Sequence, residues 1–383
     1  MKDRIHTVTI TGYGVNGEGV ARLEDGRVVF VPGAVRGEEC QVVIVSERSG
    51  SCRAEIVSIK KPSLHRIDPE CPHYQKCGGC DFQHITYEEE LWAKLRRLND
   101  ALERIGGTSI HADAILTTGH EKAYRNKAVF HTVVIDDVIK IGFYQASSHE
   151  LCPVDRCLLL RDELNIALRG LWDNPPPAGA EIMLRVGANG MHEPVTEIMD
   201  GITFMMSKSS FFQVNTDAAL LLYNKARAYA NLSANETLVD LYCGVGTLTL
   251  FLGRDAGFAL GVENNPDSVA DAKRNAQLNE IKNVDFICAD AADWDVSNLR
   301  PDCVVVDPPR RGLSASVIKK IMELSPSRIV YISCDPATLA RDVKLLNKYE
   351  VREVCAVDMF PRTANVESCM LLCLKDNKTF YTI

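Results

Sequence analysis

Leu238-Val239-Asp240-Leu241-Tyr242-Cys243-Gly244-Val245-Gly246-Thr247 is an apolar run that breaks into a glycine turn. It reads as a buried strand entering a helix, at a junction where glycines let the backbone approach a ligand. From Thr237 onward the pattern repeats. Apolar strands at 238–242, 258–262, 284–288, 303–306 and 328–332 are separated by helical stretches such as 266–279 and 314–324. This alternation predicts a Rossmann-like α/β domain over 216–383, its largely parallel sheet covered on both faces. Residues 351–357 and 369–374 follow closely enough to form an antiparallel edge pair.

The turn Gly244-Val245-Gly246 lacks the third glycine of a dinucleotide fingerprint, since Thr249 stands there. No Lys-Ser/Thr pair follows it, which excludes a P-loop. Glu263 ends the second strand, where a carboxylate can accept two ribose hydroxyls, and Asp290 follows the third, where it can face an adenine amine. A short glycine turn followed by this ordered pair of acids fits S-adenosylmethionine better than NAD. Asp307-Pro308-Pro309 closes the fourth strand, and its prolines fix the backbone where a flat base or the cofactor must be met closely. Arg310-Arg311-Gly312 follows where amino-group methyltransferases carry an aromatic residue. That shifts the reading away from exocyclic nitrogen and supplies charge suited to phosphate.

Val330-Tyr331-Ile332-Ser333-Cys334-Asp335-Pro336 places a thiol at the carboxyl edge of the fifth strand, where such sheets bind ligands. Cys334 is therefore a candidate nucleophile, against the commoner fate of cysteine as a small buried apolar residue. All nine histidines lie at or before His192, so a base in the sheet domain must be another residue type. Glu367, at the mouth of the last strand after Phe360-Pro361, is the candidate; a solvated loop acid is the alternative.

Upstream, residues 1–62 hold short β-rich runs punctuated by glycines and predict a small OB-like barrel. Residues 63–215 read as a central α+β region, largely irregular, with helix-like 87–105 and the break Pro175-Pro176-Pro177. Cys71, Cys77 and Cys80 form C-x5-C-x2-C among glycines that let the backbone wrap a compact object. Three close thiols plus a distant fourth suit a cubane iron–sulfur cluster. Cys152 is the expected fourth ligand and Cys157 the second choice; zinc with His73 or His84 is the alternative metal.

The chain has 383 residues, 46% hydrophobic and 25% charged, with a net charge of −8. It is long enough for two or three domains, and its charge argues against non-specific coating of nucleic acid. Its cysteines are mostly scattered, unlike a secreted disulfide framework. With neither a signal peptide nor a membrane-spanning run, a cytoplasmic protein is expected, monomeric and without a membrane or DNA partner.

Taken together, these residues resemble the RNA (uracil-5)-methyltransferase family over almost the whole chain. The stretch from Gly12 to Arg22 is similar to the start of a TRAM domain, the family's RNA-binding barrel. By that resemblance Cys71, Cys77, Cys80 and Cys152 match [4Fe-4S] ligands. Gln213, in Ser210-Phe211-Phe212-Gln213-Val214-Asn215, matches a cofactor contact, as do Tyr242, Gly244, Gly246, Thr247, Glu263, Asp290 and Asp307. Cys334 matches the nucleophile and Glu367 the base. The resemblance implies attack of Cys334 on uracil C6, methylation at C5 and removal of the C5 proton by Glu367. Two departures stand out: Asn365 where many members have His, and Thr247 where some have Asn. The implied partner is structured RNA, 23S ribosomal RNA first and transfer RNA second. Lys122, Arg125 and Lys127 are expected at phosphate. An RNA N-methyltransferase without a covalent step, and a non-catalytic iron–sulfur RNA-binding protein, are the rivals.

Overall fold

The computed structural model describes residues 4–146, 148–208, 210–294 and 299–375. At the amino terminus, strands Ile5–Thr9, Gly12–Tyr13, Gly19–Arg22, Val28–Val31, Glu39–Arg48 and Ser51–Lys61 join in one sheet. Along Glu39–Arg48, Cys40, Val42 and Ile44 alternate inward and meet Val8, Ala21, Val29 and Ala54 in a separate small core. Register shifts between Glu39–Arg48 and Ser51–Lys61 mark bulges, which bend this long pair. The hairpin Gly12–Tyr13/Gly19–Arg22 is an element where the sequence suggests only glycine punctuation.

The central region is more regular than expected. Leu151–Pro153, Val138–Tyr144, Lys127–Ile135 and Glu181–Arg185 form an antiparallel sheet in that order, covered by helix Asp162–Asp173 through Leu164 and Leu168. Helix Tyr87–Ala101 is capped by Thr86, which accepts from Glu89 N–H, and passes into a wider turn over Leu102–Gly106. A hairpin, Val195–Met199/Ile202–Met206, then lies against the last domain.

The seven principal strands of that domain are β1 (Thr237–Leu241), β2 (Phe258–Glu263), β3 (Val284–Cys288), β4 (Cys303–Val306), β5 (Arg328–Ser333), β6 (Tyr349–Val357) and β7 (Glu367–Leu374). Their spatial order is β3-β2-β1-β4-β5-β7-β6, with Ile115–Leu116 added beside β6. The first five are parallel; β7 runs antiparallel to both β5 and β6. Alternate residues serve two cores. Leu238, Val305 and Val330 face helices Thr216–Ala230, Thr247–Gly253 and Pro266–Leu278, whereas Val239, Val304 and Ile329 face Ala315–Leu324 and Pro336–Leu345. Burial on both sides explains the unbroken apolar runs. The strand order reverses between β1 and β4, which puts the glycine turn and Asp307 together at a topological switch point.

Candidate active site

The chain leaves β1 through three left-handed residues: Tyr242 (φ 71°), Gly244 (φ 54°) and Gly246 (φ 82°). At Gly246 a Cβ would stand 2.9 Å from Phe286 Cζ and 3.1 Å from Ala272 Cβ, so packing and φ both demand glycine. Thr247 opens the short helix after the turn. Glu263, ending β2, accepts the N–H of Gly244 at 3.1 Å and of Asn265 at 2.9 Å. Its carboxylate is thereby fixed at the turn with lone pairs to spare. Asp290, beyond β3, accepts Ala292 N–H at 2.8 Å. Gln213 is buried.

Sequence reasoning missed Asp240, in the middle of β1. It is fully buried and accepts Thr249 Oγ1 at 2.6 Å, but its Oδ1 has no partner among the described residues. Burial pushes its carboxyl up to about 8. An acid in the middle of an otherwise apolar strand was the available signal.

Helix Pro266–Leu278 prepares the approach to Gln213. Asp271, Asn275 and Asn279, spaced by four along one helix face, accept the N–H groups of Ser207, Met205 and Thr203, each at 2.8 Å. These side chains replace a neighbouring strand for Ile202–Met206. Asp271 also accepts Ser210 Oγ at 2.7 Å, tying down the segment that leads to Gln213.

Asp307, Cys334 and Glu367 sit at the ends of three adjacent strands, β4, β5 and β7. Cys334 is half-buried; Glu367 is 3% exposed, with Oε2 unpartnered among the described residues. Burial first, then Glu367 and Asp307, push the Cys334 thiol up to about 11, and Arg310 opposes the rise. Burial raises Asp307 to about 6. Glu367 is held well above the carboxylate range by burial and Asp307, again opposed by Arg310. The site is therefore three acids and one cation in a poorly solvated cleft. Asn365, the departure from the family pattern, accepts Arg310 Nη2 at 3.2 Å and so orients that cation. The turn carrying Cys334 is pinned on its far side: Ser333 Oγ accepts Asp335 N–H at 3.1 Å, and Asp335 caps helix Pro336–Leu345.

The cysteine cradle lies elsewhere. Cys71, Cys77 and Cys80 line a cavity of about 460 Å³ together with Cys157, Tyr144, Arg125 and Lys127. Cys152 does not line it. That residue sits in strand Leu151–Pro153, 4% exposed and packed with Ala128, Phe130 and Ile141. Cys157, in the turn beyond the strand, also lines the cavity. Cys152 belongs to the core against which Cys77 and Cys157 pack, and after burial the nearby Cys71 raises its thiol, so both Cys152 and Cys157 lie beside the close thiols. Among the described residues no three His, Cys, Asp or Glu gather closely enough for a single metal ion. Arg125 and Lys127, expected at phosphate, turn towards this cavity, and Lys122 pairs with Glu70.

A buried charge cluster, also absent from the sequence reading, joins helix Tyr87–Ala101 to the segment that follows β6. Lys94 Nζ donates to Glu90 Oε1 and Asp358 Oδ1, both at 2.6 Å, and to the carbonyl of Phe360 at 3.0 Å. All three charged side chains are fully buried.

A doubly wound sheet with this strand order and this turn defines a class I, S-adenosylmethionine-dependent methyltransferase, carried behind a small barrel. The family model described as tRNA (Uracil-5-)-methyltransferase matches residues 191–375, and the TRAM domain model matches residues 2–57. An uncharacterized RNA methyltransferase of Halalkalibacterium halodurans is 32% identical, over 98% of this chain and 98% of its own. One from Caldanaerobacter subterraneus is 34% identical, over 96% and 97%. The structure of Pyrococcus abyssi tRNA (uracil-54, C5)-methyltransferase with S-adenosyl-L-homocysteine superposes with a TM-score of 0.74 at 23% identity, covering 95% of this chain and 99% of that one. The chain belongs to the RNA (uracil-5)-methyltransferase family. It is an RNA methyltransferase of the uracil-5 type.

Proposed function

We propose that this enzyme methylates C5 of a uridine in folded RNA through a covalent adduct with Cys334. The observation that carries the reading is the meeting of Cys334, Glu367 and Asp307 on adjacent strand ends at the switch point. Glu263, Asp290, Gln213 and the turn Tyr242–Thr247 would hold S-adenosylmethionine, with the orphaned oxygen of Asp240 available to its ammonium group. Bound there, the cofactor supplies a methyl group as a sulfonium electrophile and leaves as the thioether.

Cys334 reacts as thiolate, its proton passing to water. Its sulfur bonds to C6, and the C5=C6 pair moves to C5, which takes the methyl. Glu367 then removes the C5 proton; the freed pair restores C5=C6 and breaks the S–C6 bond. Arg310 and the incoming sulfonium charge offset the carboxyls that raise the thiol, and they shift Glu367 towards its ionised, basic form. Sheet edges hold thiol and base in fixed register, which accounts for much of the acceleration. The uridine must leave its stack to enter this cleft, and the barrel grips the RNA around it.

Cys71, Cys77 and Cys80, with Cys152 as fourth ligand and Cys157 as second choice, fit a [4Fe-4S] cluster, which we assign a structural role. The barrel and the cysteine cradle together favour 23S ribosomal RNA. Transfer RNA is the second reading, favoured by the family description that matches 191–375. Fourteen free cysteines suit a reducing cytoplasm. The test is to offer the enzyme unmethylated ribosomal and transfer RNA with labelled cofactor and map the product nucleoside. The account expects 5-methyluridine in ribosomal RNA and none with Cys334→Ala. Methyl on an exocyclic nitrogen, or activity persisting in Cys334→Ala, overturns it.

A further inference from the structure

Asp81 directly follows Cys80 of the cradle, and it is bonded to the loop that delivers Glu367. Its Oδ2 accepts Ala364 N–H at 2.8 Å. The N–H groups of Asp81 and Phe82 both donate to the carbonyl of Arg362, at 3.0 and 3.1 Å. Arg362 returns the contact, its Nη1 donating to the carbonyls of Phe82 and Ile85 at 3.3 and 3.0 Å. Its own φ of 69° is a conformation that a bulky residue holds only when its surroundings impose it. Residues 361–366 belong to no strand or helix. Their placement therefore depends on bonds from outside: Asp81, Glu90 to Arg362 N–H at 2.7 Å, Tyr124 to Pro361 O at 3.0 Å and Arg97 to Ala364 O at 2.8 Å.

We propose that Asp81 is a positioning residue that couples the cysteine cradle to the catalytic base. Thiol ligation at Cys80 fixes Asp81, Asp81 fixes Ala364, and the base stands three residues on. This rests on Glu367 removing the C5 proton. Cys334 is held by β5 and by the Asp335 cap, which meets the loop only through Arg97 and not through Asp81. Loosening the loop therefore slows proton removal and leaves attack and methyl transfer intact.

The test uses the full-length enzyme, folded RNA and S-adenosylmethionine. Asp81→Ala should lower kcat by about 10- to 100-fold, the scale on which small misplacements act. The KM for the cofactor should stay unchanged, and a covalent protein–RNA adduct should build up on denaturing gels. Asp81→Asn, which keeps an acceptor for Ala364 N–H, should restore turnover. Hydrogen exchange across 361–366 should quicken in Asp81→Ala and also in Cys80→Ser while β1–β5 keep their protection, a readout that needs no activity and separates local loosening from poor folding. Unchanged exchange in Cys80→Ser overturns the coupling. So does Asp81→Ala without adduct, provided Glu367→Gln accumulates it. If Glu367→Gln itself accumulates no adduct, the base assignment fails first and takes the coupling with it.

Discussion

Glu367 stands beside Cys334 because β7 runs antiparallel to β5: Ser368 pairs with Ser333, so Cys334, one residue on, lies across from Glu367, one residue back, at the sheet edge. Ser368 Oγ also donates to Ser333 O at 3.1 Å, locking that register. Thiol and carboxyl thus share one electrostatic environment, with Asp307 as a third member.

That sharing has a measurable consequence for pH. Held up to about 11, the Cys334 thiol should alkylate slowly at neutral pH and faster through the alkaline range. Asp307, raised only to about 6, is an anion where the thiol titrates, so removing its charge lowers the thiol's value. Asp307→Asn should move the alkylation profile of the Cys334 peptide to lower pH, read by mass spectrometry. An unmoved or higher midpoint contradicts the shared site.

Iron analysis separates the two candidate fourth ligands. Cys152→Ser should lose iron and its charge-transfer absorbance, since Cys77 packs against the core that holds Cys152. Cys157→Ser should retain both, at a cost confined to packing. The opposite pattern would make Cys157 the ligand.

Lys94→Met removes the cation between two buried carboxylates, a loss of about 3–5 kcal/mol. Burial already raises Glu90 to about 7 against the pull of Lys94. Without the lysine Glu90 rises further, and an acid raised by folding loses stability as pH climbs through its folded value. The loss should therefore be smaller at pH 5 than at pH 8, measured by denaturant midpoints. A triple variant that adds Glu90→Gln and Asp358→Asn should recover most of it.

Asp271→Ala removes the acceptor for Ser207 and Ser210 and frees the segment before Gln213. Calorimetry should show cofactor binding weakened about tenfold, the worth of one lost buried hydrogen bond, with RNA affinity kept. Unchanged cofactor affinity would detach Asp271 from the site.

The central sheet strands were legible because both faces are buried, which turns β1, β4 and β5 into continuous apolar runs. Cys334 and Glu367 were legible from their places at strand edges. The antiparallel sheet around Lys127–Ile135 was not, because Glu181–Arg185 pairs with it across a helix and the Pro175–Pro177 break. The strand Ile202–Met206 was obscured because only Val195–Met199 pairs with it as a strand, while Asp271, Asn275 and Asn279 side chains serve its other edge. Spacing alone leaves Cys152 and Cys157 both open as the fourth thiol, and the fold keeps both beside Cys77. The Lys94 cluster escaped because charged residues on a helix ordinarily read as a solvated face.

The central claim is the bond between one sulfur and C6 of the base. Folded RNA containing 5-fluorouridine, incubated with enzyme and S-adenosylmethionine, tests it most directly, because fluorine at C5 cannot leave as a proton does. The account predicts a stable protein–RNA species whose mass includes the added methyl and whose crosslink maps to Cys334, and none with Cys334→Ala. Free methylated RNA with no crosslinked species, or a crosslink that survives Cys334→Ala, would contradict it.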